Sequence, residues 1–445
     1  MPSLNPQLLR SAAVAALGSL LFGFDSAVIS GATEALRLHF TLSSQALGFT
    51  VASALLGTIL GSLGVGPPAE AFGRRPVLAG LAVLYVVSSI GCGLAWSWPA
   101  LLAFRFIGGL AIGGSSVASP MYIAEIAPAD VRGRLVALSQ LNIVVGILIA
   151  YLSNSIVELL VGGPESFAWR VMLGLPAVPA AVFYLLVLGV PESPRWLVKQ
   201  GRREEGEAVL ARVGCEPARQ IADEVAESLR RETVAADEPF FTRKYRKPIL
   251  LALMVATFNQ LSGINALIYY TADIFAMAGA GRTSALWQSV VIGVTNLVFT
   301  LLGMALIDRV GRKRLLLAGS LGLAACMFTA AYAFEQRIGG AVVLASLIGY
   351  IAFFAFSQGA VIWVYLAEIF PNRVRARGQA LGSFVHWFWA AAVSWTFPVV
   401  AEATGGLAFA FFGAMMLVQF VAVLLLLPET RGVSLEQIQR RFGIE

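Results

Sequence analysis

The 445-residue chain is poor in charge, in histidine and in cysteine. Only 13% of its residues are Asp, Glu, Lys or Arg, against roughly 25% in a soluble domain. With 58% AVILMFWYC residues and a mean hydropathy of +0.77, that scarcity excludes a disordered chain, a coiled coil and nearly every soluble enzyme class. His39 and His386 are the only histidines, which excludes a histidine-rich metal centre. Cys92, Cys215 and Cys326 are odd in number and far apart, so they form neither a disulfide framework nor a metal site. A Ser/His/Asp set and a nucleotide motif are also missing, so neither an enzyme nor a cofactor or metal is expected. Only 4 of the 32 basic residues are Lys, a bias read as genome composition. The N-terminus lacks a short cleavable segment, and Ser11–Ser30 reads as a first span that is retained.

What is present is long apolar runs. A spanning helix needs about 20 mostly apolar residues. Spans are expected near 11–31, 45–66, 76–95, 100–124, 135–156 and 168–190, then near 248–277, 284–307, 315–335, 339–367, 378–401 and 405–427. The expected organisation is an all-α membrane protein of twelve transmembrane helices. A six-helix bundle occupies 1–190, a hydrophilic helical linker 191–247, a second bundle 248–427 and a tail 428–445. Val209, Leu210, Val213 and Ile221 are spaced in the linker as on short amphipathic helices. Lys and Arg set the orientation. With both termini and the linker in the cytoplasm, 27 basic residues lie inside and only Arg37, Arg170, Arg282 and Arg337 outside; Arg105 lies within a span. The net charge of +6 is therefore an orientation signal, and nucleic acid is not an expected partner because no basic–aromatic module accompanies it.

The chain also repeats itself. Phe72-Gly73-Arg74-Arg75 returns as Val310-Gly311-Arg312-Lys313, and Ala124-Glu125-Ile126-Ala127-Pro128 as Ala367-Glu368-Ile369-Phe370-Pro371. Val131-Arg132 returns as Val374-Arg375, and Pro191-Glu192-Ser193 as Pro428-Glu429-Thr430. Four motifs in one order at nearly one offset mark two similar halves, each of six spans. Paired halves of like orientation are a transporter architecture, with the substrate site at their interface near the bilayer midplane.

The repeated charges fall at cytoplasmic helix ends. Glu125 is expected to reach Arg132, and Glu368 to reach Arg375. Asp308, Arg312, Glu192, Arg195 and Glu429 supply further partners. Plain positive-inside anchoring explains any one arginine. As a network, these pairs would clamp the halves on the inside while the site faces outward. Each exposed pair contributes only about 0–1 kcal/mol, yet a few kcal/mol shifts a two-state balance. The first-half copy has Ala71 where the second has Arg309, so the clamp is expected to be lopsided.

With these motifs the chain resembles the sugar porters of the major facilitator superfamily, the group of animal glucose transporters and bacterial proton–sugar symporters. The resemblance covers nearly the whole chain. It rests on Gly23-Phe24-Asp25 with Gly31, Gly73-Arg74-Arg75, Arg105, Arg132-Gly133-Arg134 and Pro191-Glu192-Ser193-Pro194-Arg195-Trp196-Leu197. It continues through Gln260-Leu261-Ser262-Gly263-Ile264-Asn265, Tyr269-Tyr270, Asp308–Lys313 and Pro428-Glu429-Thr430-Arg431-Gly432. It implies monosaccharide transport by alternating access, with the sugar held mostly by the C-terminal half.

Residue chemistry gives a separate argument for a sugar site. A pyranose presents several hydroxyls and a flat apolar face, which amides and an aromatic platform satisfy. Amides in the apolar spans include Gln140, Asn142, Asn259, Gln260, Asn265, Asn296 and Gln419; Trp363, Trp387, Trp389 and Trp395 are indoles near mid-depth. Asn142 and Gln419 read as interhelical glue, worth about 0.6 kcal/mol each. The resemblance places Gln140, Gln260, Asn265, Asn296 and Trp363 at sugar-contacting positions and Trp387 at a neighbouring one. Phe22, Tyr269 and Phe354 are the implied apolar or gating neighbours. Two departures stand out. Asn259 replaces a glutamine and is one methylene shorter, which leaves its bond to the sugar lost or carried by water. His386 stands where relatives carry an amide, and an intramembrane histidine is by default functional or cavity-facing.

Asp25 lies mid-span, and a carboxylate there costs at least ~2.5–3.5 kcal/mol unless protonated or paired. Arg105 is the intramembrane cation of the first half and its expected partner. A carboxylate alternating between an arginine and a proton is a workable proton carrier, and the resemblance ties an acid at this position to proton-coupled members. The alternative is a permanent ion pair that fixes packing. Glu34 and Glu158 are expected to be solvated.

The expected function is import of a glucose-like hexose with protons, by a monomer in the lipid of a cytoplasmic membrane. Rival readings are a facilitative uniporter, a polyol or pentose porter, and a sugar sensor on the same scaffold. A sensor would carry a long signalling tail, whereas only about 17 residues follow the last span.

Overall fold

A computed structural model describes residues 5–128, 131–162, 167–235, 239–371, 373–433, 435–442 and 444. Parts of the linker (236–238) and of the tail (434, 443, 445) lie outside the described residues. Among the described residues, the regular structure is entirely helical. Twelve helices of the described residues are long and apolar enough to cross a membrane. Spans one to six are Pro6–Gly31, Ser44–Gly64, Arg74–Gly93, Trp98–Ile126, Arg132–Val161 and Ala168–Val187. Spans seven to twelve are Arg243–Tyr269, Arg282–Val310, Arg312–Glu335, Gly340–Glu368, Arg375–Thr404 and Leu407–Leu426. Span three shows why such helices stay in lipid. Leu78, Leu81, Ala82, Tyr85 and Ser89 are buried, while Val83, Val87 and Ile90 are exposed on another face with nothing polar among them.

Local chemistry sets the ends and breaks. Span four starts at Ser97, whose hydroxyl accepts from the Ala100 N–H at 3.4 Å, with Pro99 in the first turn. Span seven breaks at Gly263, which sits at φ +91°. An added Cβ there would meet the Phe412 ring at 2.6 Å, so both backbone and packing require glycine. The helix resumes as Ile264–Tyr269, and a further short helix, Thr271–Met277, follows beyond the end of the span. The apolar run expected to span through residue 277 is thus split twice. Span ten is also split, at Ser357, into Gly340–Phe356 and Gln358–Glu368.

The chain forms two compact units. Unit 1 comprises Met1–Ser26, Ser53–Ala150 and Arg170–Asp237. The linker helices Pro194–Lys199, Arg203–Arg212 and Ala218–Ala235 belong to it, and Trp196, Leu197, Val209, Leu210 and Ala222 join Leu78, Tyr122 and Phe183 in one core. Unit 2 comprises Ala27–Ala52, Tyr151–Trp169 and Glu238–Glu445. It therefore contains the ends of spans one and five and the starts of spans two and six, together with all of spans seven to twelve.

Candidate functional site

In unit 2 the break at Gly263 leaves polar side chains facing one another in an apolar bundle. Gln260 is buried, and its Nε2 lies 3.0 Å from His386 Nε2, 3.2 Å from Nδ1 and 3.3 Å from Asn259 Oδ1. His386 is flanked by Trp363 (centroids 5.0 Å apart) and packs edge-on to Trp387 (4.9 Å). The Trp387 indole is buried, whereas Trp363 remains 37% exposed. Asn259 Nδ2 donates to the Gln358 carbonyl at 3.5 Å; Gln358 Nε2 donates to Gln419 Oε1 at 2.9 Å and contacts Met416 Sδ at 3.1 Å. Ser262 Oγ donates to the Asn259 carbonyl at 2.6 Å, and the Tyr350 hydroxyl donates to the Ser262 carbonyl at 3.0 Å, which ties down the broken helix.

Three polar atoms of this region are buried without a hydrogen-bond partner: Gln260 Oε1, Asn265 Nδ2 and Gln358 Oε1. Such atoms cost about 1–3 kcal/mol each unless a ligand or water engages them. One is a donor and two are acceptors, as a polyhydroxylated ligand requires.

The structure thus brings Asn259, Gln260, Trp363, His386 and Trp387 together. Asn265 follows one turn beyond the break. Asn296 accepts from Thr300 of its own helix at 3.4 Å. Tyr269 is buried, and Phe354 stacks on Tyr350 at 6.3 Å. Gln358 was missed by sequence reasoning, although an amide inside an apolar run is the signal that found the others. Gln419, read as glue, is indeed bonded to another helix, through Gln358. Unit 1 holds Gln140 and Phe22, both half-buried. Asn142 is bonded to the Leu138 carbonyl of its own helix at 2.9 Å.

Asp25 and Arg105 also lie in unit 1. Arg105 is buried, and its charge acts on Asp25; both reach Cys92 of span three, and Asp25 also reaches Tyr85. The carboxyl and the guanidinium therefore lie within electrostatic range of one another.

Each unit carries the same network at repeated helix ends. In unit 1, Arg74 grips Glu125 through Nε and Nη2, both at 2.8 Å, and also bonds Glu70 at 3.0 Å and the Ala69 carbonyl at 2.9 Å. Glu192 accepts the N–H groups of Arg74 (2.9 Å), Arg75 (3.2 Å) and Ser193 (2.7 Å). In unit 2, Arg312 grips Glu368 at 2.7 and 3.2 Å and bonds Asp308 at 2.9 Å, while Glu429 accepts from the N–H groups of Arg312 (2.9 Å) and Lys313 (3.1 Å). Gly73 and Gly311, at φ +102° and +103°, let each carboxylate reach the start of the following span; a Cβ would strike it.

This corrects the expected pairing. Glu125 is taken by Arg74, and Arg132 donates to the Ala127 carbonyl at 3.4 Å. Glu368 is taken by Arg312, and Arg375 keeps Nε and Nη2 buried without a hydrogen-bond partner. A two-toothed grip on a carboxylate is stronger than a single contact around a tight turn. Each network lies within its own unit. Arg195 of the linker opens the Pro194–Lys199 helix, capped by Ser193 Oγ accepting from Trp196 N at 3.1 Å.

A fourth constellation lies within unit 2. Arg282 sits between Glu158 (2.9 Å) and Glu34 (3.2 Å), and Arg37 is 3.6 Å from Glu402. Glu158 is expected to be solvated; instead its side chain is almost enclosed and paired with Arg282 at the start of span eight.

Two six-span halves with twinned charge networks, and a set of orphaned amides in the region of a part-exposed indole, define a secondary transporter. The family described as "Sugar (and other) transporter" matches residues 11–442. A D-xylose-proton symporter of Escherichia coli (strain K12) is 38% identical over 96% of this chain and 94% of its own length. A glucose transport protein of Synechocystis sp. is 36% identical over 96% and 95%. A solved structure of the xylose transporter XylE from E. coli, in a partially occluded inward open conformation, superposes with a TM-score of 0.87 at 35% identity, covering 96% of this chain and 99% of that one. The chain belongs to the sugar transporter family and has the major facilitator fold. It is a multi-pass membrane transporter and not an enzyme.

Proposed function

We propose that the chain is a proton-coupled sugar importer of a cytoplasmic membrane, working as a monomer with both termini inside. The observation that carries the sugar reading is the group of buried, unpartnered amide atoms on Gln260, Asn265 and Gln358, in the region of the part-exposed Trp363. They match a ligand with several hydroxyls and one apolar face, and no charged side chain stands among them to favour an acid. Gln140, Asn259, Asn296, His386 and Trp387 complete the proposed binding set, with Phe22, Tyr269 and Phe354 as apolar neighbours. His386 contributes a ring nitrogen that accepts or donates according to tautomer.

Asp25 is the proposed proton carrier. When Arg105 is close, the carboxylate is favoured; when it withdraws, burial favours the protonated acid. The sugar and the proton would then be taken up on the outer side and released together inside. The twinned Arg74–Glu125 and Arg312–Glu368 networks, with Arg132, Glu192, Arg195, Asp308, Arg375 and Glu429 around them, are the proposed inner charge lattice whose rearrangement sets the balance of states.

The substrate is proposed to be a glucose-type hexose. A pentose is the second reading, favoured by the 38% identity to a D-xylose-proton symporter. Uptake of labelled glucose and xylose into proteoliposomes, with and without an inward proton gradient, tests both. Accumulation should rise with the gradient and be lost in Asp25→Asn. Equal uptake without the gradient, with Asp25→Asn matching wild type, would leave a uniporter.

A further inference from the structure

Among the described residues, one linked set of charges in unit 2 holds more acids than cations. It joins the acids Glu34, Glu158, Asp273 and Glu402 with the cations Arg37 and Arg282. Arg282 is shared by Glu158 and Glu34, and Arg37 pairs with Glu402. Asp273, in the short helix Thr271–Met277 beyond the end of span seven, is the acid left over. The residue as a whole is half-buried, but its Oδ2 is enclosed and has no hydrogen-bond partner. Glu158 Oε2 is orphaned in the same way.

The surroundings of Asp273 can be enumerated. The short helix Thr33–His39 brings Thr33, Glu34 and Arg37 to it, and the start of span eight brings Arg282. The turn Ile29–Gly31 packs against it with no titratable group. The preceding helix ends in Tyr269, and the start of span ten approaches at Gly340, 3.3 Å from the Ala278 carbonyl for an added Cβ, with no titratable group there. Burial pushes the Asp273 carboxyl up to about 7, Glu34 adds to the rise, and Thr33, Arg37 and Arg282 oppose it.

The elements around this carboxyl come from both sequence halves. Residues 27–52 and 151–169 belong to the first half by sequence but pack with the second. The Tyr151 hydroxyl donates to the Ile268 carbonyl at 2.9 Å and lies 2.9 Å from Thr271 Oγ1, on the same short helix as Asp273, so the joint is closed beside it. For a sugar site to open here, the joint must part and water must reach Asp273.

We propose that Asp273 is a second proton-binding site, separate from Asp25, which takes up a proton as this joint closes and releases it as the joint opens. The inference goes beyond the symport reading, because it concerns the closure itself and holds whether or not the sugar step is proton-driven. The sign follows from linkage. Closing raises the affinity of Asp273 for a proton, so closure is fully supported below about pH 4, where both forms are protonated. The support fades as pH rises and is gone above about pH 7. Within that window each pH unit changes the open-to-closed ratio by up to about tenfold.

Amide hydrogen exchange on the full chain in lipid nanodiscs tests this without sugar. Exchange of peptides covering residues 29–39 and 271–277 is followed from about pH 5 to about pH 8 and corrected for the intrinsic rate. Wild type should lose protection in both peptides as pH rises, by at least about tenfold in total. Asp273→Asn, a permanently neutral mimic, should stay protected throughout. Asp25→Asn should titrate as wild type does. A flat wild-type profile overturns the proposal, as does an unchanged profile in Asp273→Asn or one abolished by Asp25→Asn. If Asp273→Asn fails to fold, Asp273→Glu decides instead, because it must retain a pH-dependent loss of protection. Failure of sugar uptake in the proteoliposome assay leaves each of these outcomes readable.

Discussion

The two charge networks share a design but not a depth of burial, and this difference predicts an order of stability. In unit 1, Arg74 is 4% exposed and Glu125 9%; in unit 2, Arg312 is 9% exposed and Glu368 25%. Glu125→Gln and Glu368→Gln each remove one charge while keeping the shape. Breaking a fully buried pair costs about 3–5 kcal/mol, because the remaining charge is stranded. Neither arginine is wholly stranded here, since Arg74 keeps Glu70 at 3.0 Å and Arg312 keeps Asp308 at 2.9 Å. Water also reaches the second network through the more open Glu368, and exposure discounts the loss toward the roughly 0–1 kcal/mol of a surface pair. The expected losses are about 2–3 kcal/mol for Glu125→Gln and about 1 kcal/mol for Glu368→Gln. Unfolding midpoints of the purified protein in one detergent, followed by tryptophan fluorescence, would measure both. The cycle with Arg74→Gln should recover a coupling of about 2 kcal/mol between Arg74 and Glu125. Equal losses, or a larger loss for Glu368→Gln, would refute the argument from burial.

Three further outcomes follow from the geometry. Gly263→Ala forces a Cβ into the Phe412 ring and into a left-handed backbone, so it should destabilise by about 2–4 kcal/mol and lower the thermal midpoint. Gln260→Ala removes an orphaned acceptor and the partner of His386, so sugar affinity in equilibrium binding should fall about 10- to 100-fold, equivalent to about 1–3 kcal/mol. Trp363→Ala should weaken the same binding, whereas Asn142→Ala, which loses only a bond to its own helix, should leave it unchanged.

The spans were readable because lipid demands about 20 apolar residues in a row, and the break at Gly263 because glycine announces it. The break at Ser357 was not readable, since nothing in Phe356-Ser357-Gln358 distinguishes a kink from a continuing helix. Amides in apolar runs pointed to the cluster around Gln260, and Gln358 would have been found by the same rule applied once more. Partner choice was the weakest link. Glu125 and Arg132 are near neighbours in the chain, and proximity suggested a pair; the partner that prevails, Arg74, is 51 positions away and reaches the carboxylate with two nitrogens. The pairing of Glu158 with Arg282 joins residues far apart in the chain, which no local pattern encodes.

The contact between Gln260 and His386 has a consequence for affinity. The nitrogen of the Gln260 amide already contacts an imidazole of the protein itself, at 3.0 and 3.2 Å, while its oxygen stays without a partner. A hydroxyl that takes the nitrogen therefore exchanges one hydrogen bond for another, and only the surplus remains as binding. An internal competitor of this kind keeps a ligand from settling too deeply. It is ready to reclaim the amide when the ligand departs, which suits a molecule that must let go of its cargo on every cycle.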